Sequence, residues 1–388
     1  MDSDVKQTRS ERFKLLSQTA RGTPMGTLLR KFWHPVALAE EVAAGKAKPI
    51  RIMGEELTLY RGTGGQPHLV GGRCAHRRSA LYTGWVEGEE IRCLYHGWKY
   101  SGNGDCVERP AEKDSGMPRC KIAGYPVREY CGLIFAYLGD GPEPEFDLPR
   151  KDALERPGAT VVARGEKWPC NWFQMIENSM DPTHVSFVHQ KGAVGALVTG
   201  APPVITDMET EAGIEVTATR PNNNIRKCDW TFPNNNHTET PGFAKGDPWI
   251  ELSLWNVPHD DESTTRYFVF STVASGEALA RFQNYFQGIR GYNPANHHDE
   301  LMLEGKYPDD QFFKLINAQD YVALVGQGAI ADRINETLGA SDRSVQTLRR
   351  IFWREIEAIE AQRPTKAWHK LSHAPTTMQT RPEEMEKA

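Results

Sequence analysis

Cysteine is scarce. Seven residues of 388, an odd number at positions 74, 93, 106, 120, 131, 170 and 228, exclude a disulfide-stapled scaffold. Long hydrophobic runs are missing too. The longest apolar stretch, Leu133-Ile134-Phe135-Ala136-Tyr137-Leu138, falls far short of the roughly 18 residues that span a bilayer. Met1-Asp2-Ser3-Asp4 opens without the apolar segment of a secretory signal. There is no excess of basic charge: 46 Lys and Arg against 51 Asp and Glu give −5, which argues against nucleic-acid binding through a bulk positive field. Repeats and low-complexity segments are absent, and Gly102-x-Gly104 alone makes no nucleotide-binding fingerprint. These absences lead us to expect a cytoplasmic chain without membrane or nucleic-acid partners. Its length suits roughly two to three domains.

The first 30 residues read as helical. Phe13, Leu15 and Leu16, then Met25, Leu28 and Leu29, recur at three- and four-residue spacing around Gly22-Thr23-Pro24. From His34 to Asp140, short apolar or alternating stretches (50–53, 57–60) are divided by Gly64-Gly65, Gly71-Gly72, Gly102 and Gly104. That texture predicts a small all-β unit, with Gly141-Pro142-Glu143-Pro144-Glu145 as its exit linker. Beyond it, 160–163, 214–218, 249–255 and 266–273 read as strands, and 170–190 and 343–361 as helices. The last helix is striped by Val345, Leu348, Ile351, Phe352, Ile356 and Ile359. The fold class is α+β, an all-β unit followed by an antiparallel sheet flanked by helices. The polar tail from Pro375 is expected to fray.

Two Cys-His pairs lie inside the Gly-punctuated region, Cys74-Ala75-His76 and Cys93-Leu94-Tyr95-His96, as C-x-H-x16-C-x2-H. Four such donors can close one tetrahedral zinc site or hold a [2Fe–2S] cluster, with two thiolates on one iron and two imidazoles on the other. Gly71, Gly72 and Gly97 would let backbone N–H groups approach the sulfides. The other five Cys read as small buried hydrophobes. Cys74-Ala75-His76-Arg77 with Cys93-Leu94-Tyr95-His96-Gly97-Trp98 resembles the cluster loops of Rieske iron–sulfur proteins. The Tyr-His-Gly-Trp form is that of Rieske non-heme iron oxygenases.

A second group stands in 170–190. His184 and His189 are five apart, so on one ideal helix they would point about 140° from one another. They share a metal only if the helix ends or bends between them. Asp181 is at i,i+3 from His184, and Pro182 suits a helix start after it. Two imidazoles and one carboxylate with open positions form the facial triad of non-heme Fe(II) oxygenases. Asp181-x2-His184-x4-His189 resembles the mononuclear-iron motif of the same family. The distant carboxylate has candidates in Asp309, Asp310, Asp320, Asp332 and Asp342. Asp320 fits the family's context, an Asp at the start of a late helix after an irregular segment, whereas Asp332 and Asp342 read as caps or partners of Arg333 and Arg343.

Gly22-Thr23-Pro24-Met25-Gly26 and Gln327-Gly328-Ala329-Ile330-Ala331-Asp332-Arg333 resemble the phthalate-dioxygenase-like branch. The resemblance implies a terminal oxygenase (alpha) subunit that hydroxylates an aromatic substrate, carboxylated or ether-bearing. It implies N-terminal helices (1–33) packed on the catalytic domain, a Rieske domain (34–145) and a mononuclear-iron domain (146–388). Cys74, His76, Cys93 and His96 would bind the [2Fe–2S] cluster, and His184, His189 and Asp320 would bind Fe(2+). Asp181 would bridge a cluster His of one subunit to an iron His of the next, and Asn178 would lie close to the iron. Electron transfer between subunits implies a homotrimer or stacked hexamer, served by a separate flavin- and ferredoxin-type reductase using NADH. Residues 190–260 should wall the pocket, where Arg220 or Arg226 could clamp a carboxylate, although solvated loop charges are the plainer reading of both. His297-His298 read as loop residues. The alternative is a Rieske electron-transfer protein without oxygenase activity, which leaves the second half of the chain without a use.

Overall fold

The computed structural model describes residues 2–112, 119–146, 148, 152–190, 202–220, 225–294, 299–306 and 316–368. Helices α1 (Asp2–Ser17) and α2 (Pro24–Leu29) come first. Pro24 and the Thr23 hydroxyl start α2, the hydroxyl accepting from Gly26 N at 3.0 Å. Short strands follow: β1 (Trp33–Leu38), β2 (Lys46–Ile52), β3 (Glu55–Arg61), β4 (Pro67–Gly71), β5 (Trp85–Glu87), β6 (Glu90–Arg92), β7 (Lys99–Tyr100), β8 (Cys106–Glu108), β9 (Gly124–Tyr125), β10 (Val127–Tyr130) and β11 (Leu133–Tyr137). They pair antiparallel in sheets ordered β1-β11-β10, β2-β3-β4-β9 and β5-β6-β7-β8.

The second half begins with α3 (Asp152–Glu155), β12 (Thr160–Trp168), α4 (Trp172–Ser179) and α5 (Val185–Val188). Then come β13 (Val204–Glu209), β14 (Gly213–Thr219), β15 (Ile225–Thr231), β16 (Asn235–Thr240), β17 (Ile250–Pro258) and β18 (Thr264–Thr272). Helices α6 (Gly276–Gly288), α7 (Asp299–Leu303), α8 (Ile316–Val325) and α9 (Arg343–Glu360) complete it. One antiparallel sheet carries all seven strands in the order β12-β18-β17-β16-β15-β14-β13. The apolar stripe of α9 faces the core. Among the described residues no helix is long and apolar enough to cross a membrane.

The single helix expected over 170–190 is two. The Asn171 side chain caps α4, accepting from Phe173 N at 2.9 Å, and Met180 ends it. Asp181 Oδ1 then accepts from Thr183 N at 2.8 Å, and Pro182, with no N–H to give, breaks the ladder before α5.

One core runs beneath both halves. Trp33 and Phe135 pack with Trp172, Phe232, Trp255 and Phe352, and Phe135 meets Trp255 edge-on at 5.5 Å. The β17–β18 hairpin also reaches the β2–β3 turn, where Met53 N donates to Pro258 O (2.9 Å) and Gly54 N to His259 O (2.7 Å). Burial, with Lys167 and Arg51 nearby and only Asp260 opposing them, pushes the His259 imidazole down to about 4. Unfolded His takes a proton near pH 6.5 and the folded group only near 4, so stability is lost as pH falls through that window. His259→Gln is therefore expected to shrink the loss of urea stability between pH 7 and pH 5 by roughly 2 kcal/mol. An identical loss in both proteins would count against this.

Candidate metal centres and active site

Cys74 and His76 stand in the loop after β4, and Cys93 and His96 in the turn from β6 to β7. Backbone bonds close both loops: Arg78 N donates to Cys74 O (2.9 Å), Cys93 N to Trp98 O (2.8 Å) and Gly97 N to Cys93 O (3.1 Å). Gly97 has φ +74°, where a side chain is strained. Both thiols are about 1% exposed, and burial pushes the Cys74 thiol up. The Tyr100 hydroxyl lies 3.2 Å from Cys74 Sγ and accepts from Ala75 N at 3.1 Å. The His76 and His96 rings, half-buried, are 4.5 Å apart, and Trp98 stacks on His76 at 4.8 Å. His76 Nδ1 is buried without a hydrogen-bond partner. The inner thiols and outer imidazoles fit a [2Fe–2S] cluster of mixed ligation.

The helix break does what the five-residue spacing alone could not. His184 and His189 flank the single turn α5, with ring centroids 5.4 Å apart. Asp320, on α8, completes a group in which one ligand atom from each residue lies within 4.8 Å of the others. Its Oδ1 is 3.5 Å from His184 Nε2 and 3.3 Å from His189 Nε2, yet makes no well-aligned hydrogen bond. Burial works against the Asp320 charge, but His189, His184 and Arg266 outweigh it and hold the carboxyl far below the usual carboxylate range. The far side of each ring is anchored, His189 Nδ1 to Gln319 Oε1 (3.0 Å) and His184 Nδ1 to the Asp181 carbonyl. Both anchors are acceptors, so the proton stays on Nδ1 and Nε2 offers its lone pair inward. This donor set fits a divalent iron with positions left open.

A cavity of about 150 Å³ lies between the large sheet and helices α4, α5 and α8, with His184, His189 and Asp320 in its wall. That volume suits one benzene-sized ring. Strands β14 to β18 line it through Val216, Cys228, Thr238, Leu254 and Phe268, and α4 through Asn178. Arg220 and Arg226 line it too and are not solvated loop charges. Arg220 is buried, its Nη2 3.5 Å from Ser186 Oγ, and Arg226 Nη2 donates to Thr238 Oγ1 (3.0 Å). Burial, with Arg226 beside it, lowers the Arg220 pKa. Trp230 and Phe232, within the 190–260 stretch expected to wall the pocket, belong to the core.

Other expectations need correction. Arg333 pairs with Glu177, not Asp332, and Arg343 pairs with Asp207, not Asp342. Asp332 takes the Asn335 amide three residues on; Asp342 stands at the N-cap position of α9, as the cap reading has it, and takes the Gly339 N–H three residues back. Of the five remaining Cys only Cys170 is buried, while Cys106, Cys120, Cys131 and Cys228 are half-exposed. Asp309, Asp310, His297, His298 and the polar tail lie outside the described residues. Arg266 and Glu166, both buried beside the site, went unnoticed. The signal was there for Arg266: it alternates with Phe268 and Phe270 along β18, an arginine on an inward register.

Residues 32–129 match the family described as Rieske [2Fe-2S] domain, and 168–240 the vanillate O-demethylase oxygenase C-terminal domain. The chain is 32% identical over 371 residues to the 5,5'-dehydrodivanillate O-demethylase oxygenase subunit of Sphingobium sp., covering 91% of this chain and 81% of that one. It is 32% identical over 368 residues to the phenoxybenzoate dioxygenase subunit alpha of Ectopseudomonas oleovorans, covering 89% and 85%. The solved structure of NdmA from Pseudomonas putida CBB5 superposes with a TM-score of 0.64 at 22% identity, over 86% of this chain and 92% of that one, a likeness of fold.

Proposed function

We propose, because the chain belongs to the Rieske non-heme iron oxygenases, that Cys74, His76, Cys93 and His96 hold its [2Fe–2S] cluster and that His184, His189 and Asp320 hold its mononuclear iron. The protein is the oxygenase component that hydroxylates an aromatic substrate. The observation that carries the site assignment is the convergence of two anchored imidazoles and one unpartnered carboxylate oxygen on the wall of a ring-sized cavity. When bound, the cluster supplies single electrons and the iron the reducing centre for O2. Around them the chain's own groups orient. Gln319 and the Asp181 carbonyl fix the His rings, and the apolar wall of Leu254 and Phe268 seats the substrate. Asn178, whose Oδ1 faces Arg266 Nη2 at 3.4 Å, borders the iron end.

Asp181 Oδ2 is 3.8 Å from His184 Nδ1, and the side chain is a quarter exposed. That placement suits a bridge to the cluster His of a neighbouring subunit in a homotrimer or stacked hexamer. The chain divides accordingly into N-terminal helices (1–33), a Rieske domain (34–145) and a catalytic domain (146–388). It works in the cytoplasm with a separate flavin- and ferredoxin-type reductase.

The substrate is an aromatic carboxylate or an acidic aryl ether. The relatives named for 5,5'-dehydrodivanillate and phenoxybenzoate support this, as does Arg226, which has no carboxylate within ion-pair distance among the described residues. Arg226→Gln is expected to raise KM for a carboxylated ring roughly tenfold to a hundredfold and to leave its neutral ester little changed. Equal effects on both would remove Arg226 from recognition. The function itself is tested by product analysis with such a reductase, NADH, and a panel of aromatic carboxylates and ethers. NADH use without oxygenated product from any of them would count against it.

A further inference from the structure

Arg266 sits on β18 with its guanidinium inside the protein, 2% exposed. Every arm of the fork has a protein partner. Nε donates to Asn256 Oδ1 (3.0 Å), Nη2 points at Asn178 Oδ1 (3.4 Å), and Nη1 lies 3.6 Å from Asp320 Oδ2. The guanidinium carbon stands 4.7 Å over the Trp168 ring. Trp168 Nε1 in turn donates to buried Glu166 (3.4 Å), which also takes the Asn317 amide of α8 (3.0 Å). The guanidinium is thus held by the two asparagines and Trp168, on the Oδ2 side of Asp320.

We propose that Arg266 is a positioning residue of the metal site. It takes Oδ2 of Asp320 and so presets Oδ1 as the single donor facing His184 and His189 before any ion arrives. A buried carboxylate with only two imidazoles for company is poorly compensated. With the guanidinium on one oxygen its charge is balanced and its rotation blocked, and only one oxygen remains for the metal. The inference rests on the reading of His184, His189 and Asp320 as the iron site.

The test uses the full chain with its cluster intact and the mononuclear site stripped of iron, then reloaded with Fe(II). Metal-free R266Q is expected to melt at least about 5 °C below metal-free wild type. Saturating Fe(II) is expected to widen that gap, because a preset Oδ1 binds the ion more tightly in wild type than in the variant. A merely structural role lowers both states equally, and an equal gap, a narrower one or none would overturn the inference. R266K keeps the charge and loses the fork. It should melt near wild type without metal, yet turn over at least about tenfold more slowly at unchanged KM once loaded. Unchanged kcat in R266K, or a raised KM alone, would also overturn the inference, and R266K decides if R266Q does not fold. Failure of the site reading itself shows elsewhere, as a wild-type chain that binds no Fe(II) beyond its cluster.

Discussion

His184→Ala is expected to lose at least about a hundredfold in product formation while keeping its colour. Loss of an outer partner of a metal ligand already costs roughly 10–100-fold, and this change removes a proposed ligand. The colour should stay, because Cys74, His76, Cys93 and His96 sit in loops of the small sheets with their own backbone bonds. None of those bonds passes through α5. The measurement pairs product formation, driven by a reductase, with the visible spectrum of the cluster. A protein that kept both product and colour would be carrying out its chemistry without His184. One that lost both would show that the two centres depend on each other for folding.

The second large effect concerns stability and lies outside the site. The Glu177 side chain, on α4 and 11% exposed, takes Arg333 Nη2 at 2.6 Å and Arg349 Nε at 2.6 Å. Arg349 also grips Glu336. Burial opposes the Glu177 charge, but Arg333 and Arg349 overcome it and hold its pKa below the ordinary value. Its stabilisation is therefore present above the unfolded pKa and is lost as pH falls through the folded one. Glu177→Gln leaves two buried guanidinium groups short of a countercharge, which costs roughly 3–5 kcal/mol. That corresponds to a melting temperature lower by roughly 4–6 °C. Urea unfolding at neutral pH reads it directly. A loss below about 1 kcal/mol would mean that Glu336 and solvent already balance both arginines.

How much of this was legible depends on where each partner lies along the chain. The cluster loops were readable because Cys74 and His76, and Cys93 and His96, are close in sequence and lie in turns that glycine marks. The His184–His189 pair was readable as residue types, but its shared geometry hung on a helix break. Pro182 hinted at that break, and the Asp181–Thr183 turn supplied the rest. Asp320 stands 131 residues beyond His189, and among five candidate aspartates only the family's context favoured it. Glu166 was invisible, because charged residues in a strand are ordinarily turned to solvent, and Arg266 showed only in its alternation with Phe268 and Phe270. Similarly, Arg333 and Arg349 reach a glutamate more than 150 residues away. Local reading offered Arg333 the neighbouring Asp332 instead.

The most direct measurement is iron per chain, set against the cluster's visible absorbance, in wild type and in Asp320→Ala. Two irons in a cluster and one on the two imidazoles and carboxylate predict about three per chain in wild type. The variant should hold about two, with absorbance per chain unchanged. An Asp320→Ala protein that keeps the third iron, or a wild type that never holds more than two, would contradict it.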